Sequence, residues 1–191
     1  MLFRSIAREF VLFLGRKTED KGVGRLLEAW PRILSEFPSA TLVIVGPDRL
    51  PASPEARTPG VIEIADASER EKHESLAACD LLCVPSIGES FGLAAFEAGS
   101  HGKPVVVADV PALRDTVGAA GAGVLVAPEP TAIGEAVAGL LREPATRALM
   151  GERGRRLAAE MTHERALEDY LDAYRFALAR RAGLAATPAR W

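Results

Sequence analysis

Cysteine is scarce in this chain. Cys79 and Cys83 are the only two among 191 residues, and neither a second pair nor a ligand set lies near them. A disulfide framework or a structural metal site needs more, so both read as buried, reduced core thiols. Long apolar runs are also lacking: no stretch approaches the roughly 18 residues that a membrane span requires. The opening segment, MLFRSIAREFVLFLG, carries Arg8 and Glu9 inside its apolar part and no small-residue cleavage site after it. It reads as a lead-in (1–9) and a first strand rather than a signal peptide, and it suggests a bacterial-type cytoplasmic protein. Charge of one sign is missing as well. The net charge of −3 gives no general reason to expect nucleic acid or an anionic membrane as a partner.

What is present is ordinary for a soluble globular domain: 48% hydrophobic and 26% charged residues, in a length that can bury a real core. Short apolar runs punctuate it at 10–15, 41–45, 61–64, 81–84, 104–108 and 124–127. They do not alternate, which suits strands covered by helices on both faces. Between and after them, apolar residues recur at helical spacing. Leu26, Leu27, Trp30, Ile33, Leu34 and Phe37 mark one helix over 23–37, in which Pro31 should introduce a kink. Ser68 and Glu71 form a capping box for another. Ile133, Val137, Leu140 and Leu141 mark a third, ended by Pro144. Residues 145–160 form a further helix, and Thr162 caps a last one, striped with Leu167, Tyr170, Leu171, Tyr174 and Leu178. A short helix over 110–116 opens with Pro111, and Gly118–Gly123 is a flexible turn. Pro47, Pro51, Pro54 and Pro59 leave no periodicity over 48–60, which is loop; the tail beyond Gly183 reads as disordered. The fold class that follows is α/β: a Rossmann-like, doubly wound parallel sheet with helices on both faces, plus C-terminal helices.

Two loops carry the chemistry. Residues 81–109 read strand, loop, helix, strand, the helix spanning Phe91 to His101 and closed by Gly102. Glu89 stands just before that helix and Glu97 two turns inside it. Gly92 removes a side chain where the backbone enters the helix, so a ligand can approach the free amides of the first turn, which favour a phosphate. Upstream, Gly15 to Gly22 bounds a polar loop with Arg16 and Lys21, a planar fork and a point charge able to neutralise a diphosphate together. Taken alone, those two cations are a solvated surface. Gly22-Val23-Gly24 lacks the third glycine of a dinucleotide loop, since Leu27 stands there, so NAD and FAD are discounted. His73, alone on a polar helix, reads as surface decoration and takes no role.

Glu89-Ser-Phe-Gly-Leu-Ala-Ala-Phe-Glu97, with VPS before it and EAGSHGKPVVVAD after it, resembles the E-x7-E motif of the retaining glycosyltransferases of family 4, which have the two-domain GT-B architecture. Gly15-Arg16…Lys21-Gly22 resembles that family's G-R-x(4)-K-G element. The resemblance covers about residues 10–180 and implies the C-terminal, donor-binding domain. It gives Arg16 and Lys21 the donor diphosphate, Glu97 the nucleotide ribose, Glu89 the donor sugar, and the backbone near Gly92 and Leu93 the phosphates. It implies transfer of a hexose from a UDP-, GDP- or ADP-sugar to a hydroxyl, with retention and attack from the face of departure. No metal or other cofactor enters, and no side chain is named as general base. Residues 65–67 would lie beside the base. The chain departs from the family at Gly46-Pro47-Asp48 and at Val110-Pro111, where relatives carry glycine-rich turns that touch the donor. The partner implied is an N-terminal acceptor-binding domain, not found here; the chain reads as a domain excised from a longer enzyme and inactive alone. Any contact with the inner membrane would come through that missing half. A nucleotide-sugar 2-epimerase would need catalytic carboxylates and a histidine that are not evident. A non-catalytic sugar-nucleotide-binding module, or one subunit of a two-chain transferase, is the alternative.

Overall fold

The computed structural model describes Phe3, residues 9–47 and residues 58–182. Its centre is a six-stranded sheet, every pairing parallel, formed by β1 (Phe10–Leu14), β2 (Thr41–Val45), β3 (Val61–Ile64), β4 (Leu81–Val84), β5 (Val105–Ala108) and β6 (Gly123–Val126). The spatial order is β3-β2-β1-β4-β5-β6. Burial follows that order. The inner strands FVLFL, TLVIV, LLCV and VVVA are buried almost throughout, whereas β3 and β6 at the two edges are half-buried. Apolar side chains on both faces of the inner strands are what parallel pairing demands, because helices cover both sides.

The helices that connect these strands are α1 (Val23–Glu36), α2 (Glu69–Ala78), α3 (Leu93–Ser100) and α4 (Pro111–Leu113), which widens into a π turn over Arg114–Gly118. After β6 come α5 (Pro130–Arg142) and α6 (Pro144–Ala159). Helix α1 buries Leu26, Leu27, Trp30 and Ile33 and packs against α5, which buries Ile133, Val137, Leu140 and Leu141. Pro31 sits on the exposed face of α1. The indole N–H of Trp30 donates to the carbonyl of Pro59 at 3.1 Å, so this large core residue leaves no polar group unsatisfied. The Ser68–Glu71 capping box forms as expected, with Ser68 accepting from the Glu71 amide and the Glu71 carboxylate accepting from the Ser68 amide at 2.8 Å. Pro144 both ends α5 and opens α6, and Arg147 donates to the terminal carbonyls of Leu140 and Leu141 at 2.7 and 2.6 Å.

Several boundaries differ from expectation. Helix α3 starts at Leu93 rather than Phe91, because Gly92 takes a left-handed conformation (φ 85°) and serves as N-cap. The helix after Pro111 runs on to Ala120, so the turn expected over Gly118–Gly123 is helical in its first half, and the last strand begins at Gly123 and ends at Val126. Phe3, in the lead-in, is buried and stacks on Phe10 with ring centroids 6.1 Å apart; the rest of that lead-in up to residue 8, most of the 48–60 loop, and the tail from residue 183 lie outside the described residues.

The chain divides into two compact units, Met1–Ala158 and Ala159–Trp191. The second contains α7 (His163–Arg181), capped by the Thr162 hydroxyl, which accepts from the Arg165 amide at 3.1 Å. Its stripe of Leu167, Tyr170, Leu171, Tyr174 and Leu178 is exposed.

Candidate functional site

The strand order reverses between β1 and β4, and there the loops leaving the two strands run side by side. In open parallel sheets this is where a crevice opens beyond the carboxyl ends of the strands. The Ile87 amide donates to the carbonyl of Asp20 at 2.9 Å, and a side chain at Gly22 would meet the carbonyl oxygen of Pro85 at 2.4 Å. Only glycine permits that approach. The two loops that carried the sequence motifs are therefore one structural unit.

Lys21 and Glu89 meet in it. The Lys21 ammonium lies 3.0 Å from Glu89 Oε2 and 3.3 Å from the carbonyl of Gly88. The second carboxylate oxygen, Oε1, accepts from the Gly92 amide at 3.0 Å. Both side chains are mostly buried, 19% and 16% exposed. Glu89 is thus held between a cation and the entrance of α3, and the third N–H of Lys21 remains for another acceptor. Arg16 is exposed at the start of the same loop, and Leu93 is exposed at the first turn of α3. The next residue of the loop, Lys17, is buried and paired with Glu63 of β3 at 3.0 Å, which anchors the cationic loop to the far strand.

Beside this unit lies a cavity of about 380 Å³ at the carboxyl ends of β1, β2 and β3. Its floor is Leu14, Gly15, Val45 and Gly46; its walls include Ala65, Asp66 and Ala67 on one side and Ala94 and Glu97 of α3 on the other. The wall takes in Glu97 but not Glu89, Arg16, Lys21, Gly92 or Leu93. The two groups are adjacent through the chain itself: Gly15 precedes Arg16, and Ala94 follows Leu93. The first amides of α3 have no carbonyl of their own helix upstream, and the helix dipole favours an anion at that end.

Residues without a motif complete the cavity. Lys72, on α2, pairs with Glu97 Oε1 at 3.1 Å and with Glu69 Oε2 at 2.7 Å. Glu69 first, and Glu97 after it, hold the Lys72 ammonium above its ordinary value against partial burial. One residue on, His73 Nδ1 lies 3.1 Å from His101 Nε2, at the end of α3. The ring centroids are 5.4 Å apart, so the two nitrogens face each other head-on, as a shared hydrogen bond requires. His73 is exposed on its polar helix, as expected, and also makes a contact between α2 and the end of α3. Burial first, then His73 and Lys103, pull the His101 pKa down. No sequence signal marked these pairs, since their members lie on different helices. Among the described residues, no group of three or more His, Cys, Asp or Glu could hold a metal, and no helix is long and apolar enough to cross a membrane.

Helix α3, which carries Glu97, is pressed from behind by α6. A side chain at Gly99 would meet the Gly154 carbonyl oxygen at 2.6 Å, and one at Gly151 would meet that of Gly102 at 2.0 Å. The backbones touch because all four positions are glycine.

A doubly wound parallel sheet with paired loops at its switch point defines a class, the Rossmann-like α/β domains, and comparison narrows it. The family of glycosyl transferases group 1 matches residues 5–157, and the chain belongs to that family. It is 34% identical over 143 residues to a phosphatidyl-myo-inositol mannosyltransferase of Mycobacterium leprae, covering 72% of this chain and 38% of that protein. It is likewise 34% identical over 187 residues to a D-inositol 3-phosphate glycosyltransferase of Segniliparus rotundus, covering 90% of this chain and 41% of that one. The chain therefore spans about two fifths of the length of these relatives. Among solved structures, the C-terminal domain of a glycosyl transferase group 1 family protein (LpcC) of Francisella tularensis has the same fold (TM-score 0.70, 21% identity, 83% of this chain and 88% of that one). HepE of Anabaena, described in complex with UDP and glucose, shares it too (TM-score 0.69, 21% identity, 80% of this chain and 44% of that one).

Proposed function

We propose that this chain is the donor-binding half of a retaining glycosyltransferase that moves a sugar from a nucleoside diphosphate to a hydroxyl acceptor. The observation that carries the reading is the Lys21–Glu89–Gly92 contact beside a cavity walled by Glu97. One cation, one helix entrance and two acids stand within a single strip of the sheet's carboxyl edge. The nucleoside enters the cavity with its base against residues 65–67 and its ribose hydroxyls on Glu97. The diphosphate lies across the first amides of α3, neutralised by Lys21 and Arg16, and the sugar reaches Glu89. Fixed dipoles and cations stabilise the departing diphosphate as its charge grows, and they need no reorganisation at that moment.

The acceptor binds to a separate N-terminal domain, the chain alone transfers nothing, and the reaction runs on the cytoplasmic side. The relatives named above carry phosphatidyl-myo-inositol and D-inositol 3-phosphate in their names.

Thermal melts of the full chain with UDP, GDP and ADP test the reading. A ligand at about 100 times its Kd adds about 2.7 kcal/mol to stability, a shift of several degrees for a domain of this size. Glu97→Ala should remove most of that shift. No shift with any of the three at millimolar concentration overturns the reading, as does robust sugar transfer by the chain alone.

A further inference from the structure

Glu97 can serve a ribose only from a narrow range of side-chain positions, and a glutamate has several torsions to freeze before it does so. Lys72 already holds one of its oxygens. The ammonium spans α2 and α3, reaching Glu97 Oε1 at 3.1 Å and Glu69 Oε2 at 2.7 Å, and Lys72, Glu69 and Glu97 all line the same cavity. The Lys72 side chain is 20% exposed and that of Glu97 36%, so the contact is partly shielded from solvent. A second contact between the same helices, His73 with His101, keeps that stretch of α2 in register with α3.

We infer that Lys72 is a positioning residue for donor binding: it fixes the Glu97 carboxylate through one oxygen and leaves the other for the ribose hydroxyls. The inference rests on the donor-binding reading above. A carboxylate oxygen offers two lone-pair directions, so the pair with Lys72 does not exhaust the acceptor capacity of Glu97. The lysine lowers the ordering cost of binding without touching the ligand, which is the ordinary benefit of preorganisation. Glu69, an exposed side chain that lines the cavity as well, gives the ammonium its second carboxylate partner at 2.7 Å.

Calorimetry on the full chain tests this, with UDP, GDP and ADP and with their 2′,3′-dideoxy counterparts as probes. Lys72→Met should weaken binding of the ribose form about tenfold, and Lys72→Arg should restore it to within about threefold. In a Glu97→Gln background the same Lys72→Met change should cost less than about twofold, because its effect runs through Glu97. The preference for ribose over dideoxyribose should shrink in Lys72→Met. Equal losses in both backgrounds, or an intact ribose preference, would show that Lys72 meets the ligand directly or acts only on the fold, and would overturn the inference. If the unaltered chain binds none of the three nucleotides, the donor reading itself fails, and that result appears before any variant is compared.

Discussion

Lys21 and Glu89 stand 68 positions apart in the chain and 3.0 Å apart in space. Nothing local brings them together. They meet because β1 and β4 are neighbours in the sheet although two strands and two α-helices separate them in sequence, and because Gly22 lets its loop lie against Pro85.

Breaking that pair from either side leaves a charge without its partner in a largely buried place. Lys21→Met and Glu89→Gln should each cost about 1–3 kcal/mol of stability. The double variant should cost less than the sum of the two, with a coupling of about 1 kcal/mol in urea denaturation. Strict additivity would mean that the contact is incidental to the fold.

The glycines at the α3–α6 contact should respond differently from a glycine in open space. A Cβ at Gly151 collides with the Gly102 carbonyl oxygen at 2.0 Å, and neither backbone can yield without moving a helix. Gly151→Ala should therefore destabilise by about 2–4 kcal/mol. Gly139, inside α5, has nothing within 4 Å of the position a Cβ would take. Gly139→Ala should stabilise by about 0.5–1 kcal/mol through helix propensity. Thermal melts of the two variants, side by side, check both signs.

Burial raises the Cys79 thiol to about 12 and pushes Cys83 higher still. Since the thiolate is the reactive form, neither should react with a thiol-specific reagent at pH 8 while the protein is folded. Both should react at once in denaturant. Labelling of the native chain, followed by mass spectrometry, would contradict this.

His101 makes a pH dependence. The His101 pKa is depressed in the folded state, by burial first, so the unfolded chain binds more protons as the pH falls through the ordinary histidine value. Stability should then decline with falling pH from neutrality through that range, and His101→Gln should flatten the decline. Lys103 and His73 oppose protonation of His101, and Glu97 favours it. Replacing His73 should leave a shallower slope than in the unaltered chain. Urea midpoints between pH 7.5 and pH 5.5 would reveal an unchanged slope if the pair plays no part.

Much of this was legible from residue order. Apolar runs without alternation announced inner strands, because a strand covered on both faces cannot afford a polar row. Ser68 and Glu71 announced their helix because both halves of a capping box lie within one turn. Two of the boundaries that slipped did so at glycines. The left-handed turn of Gly92 delays α3 by two residues, and Gly123 joins β6 through its backbone although it offers no side chain to read.

The Lys72–Glu97 and His73–His101 contacts lay beyond such reading. Their members sit 25 and 28 positions apart on separate helices, and helical periodicity says which face a residue occupies but not which neighbour that face meets.

The order of residues by itself determined the strands, the helices, their caps and the acids and cations available to a ligand, since each of these depends on neighbours within a few positions. Only the tertiary structure decided which cation meets which acid and where the cavity opens. Those relations depend on the order of strands in the sheet and on how closely glycines let one backbone approach another, and both are settled between segments far apart in the chain.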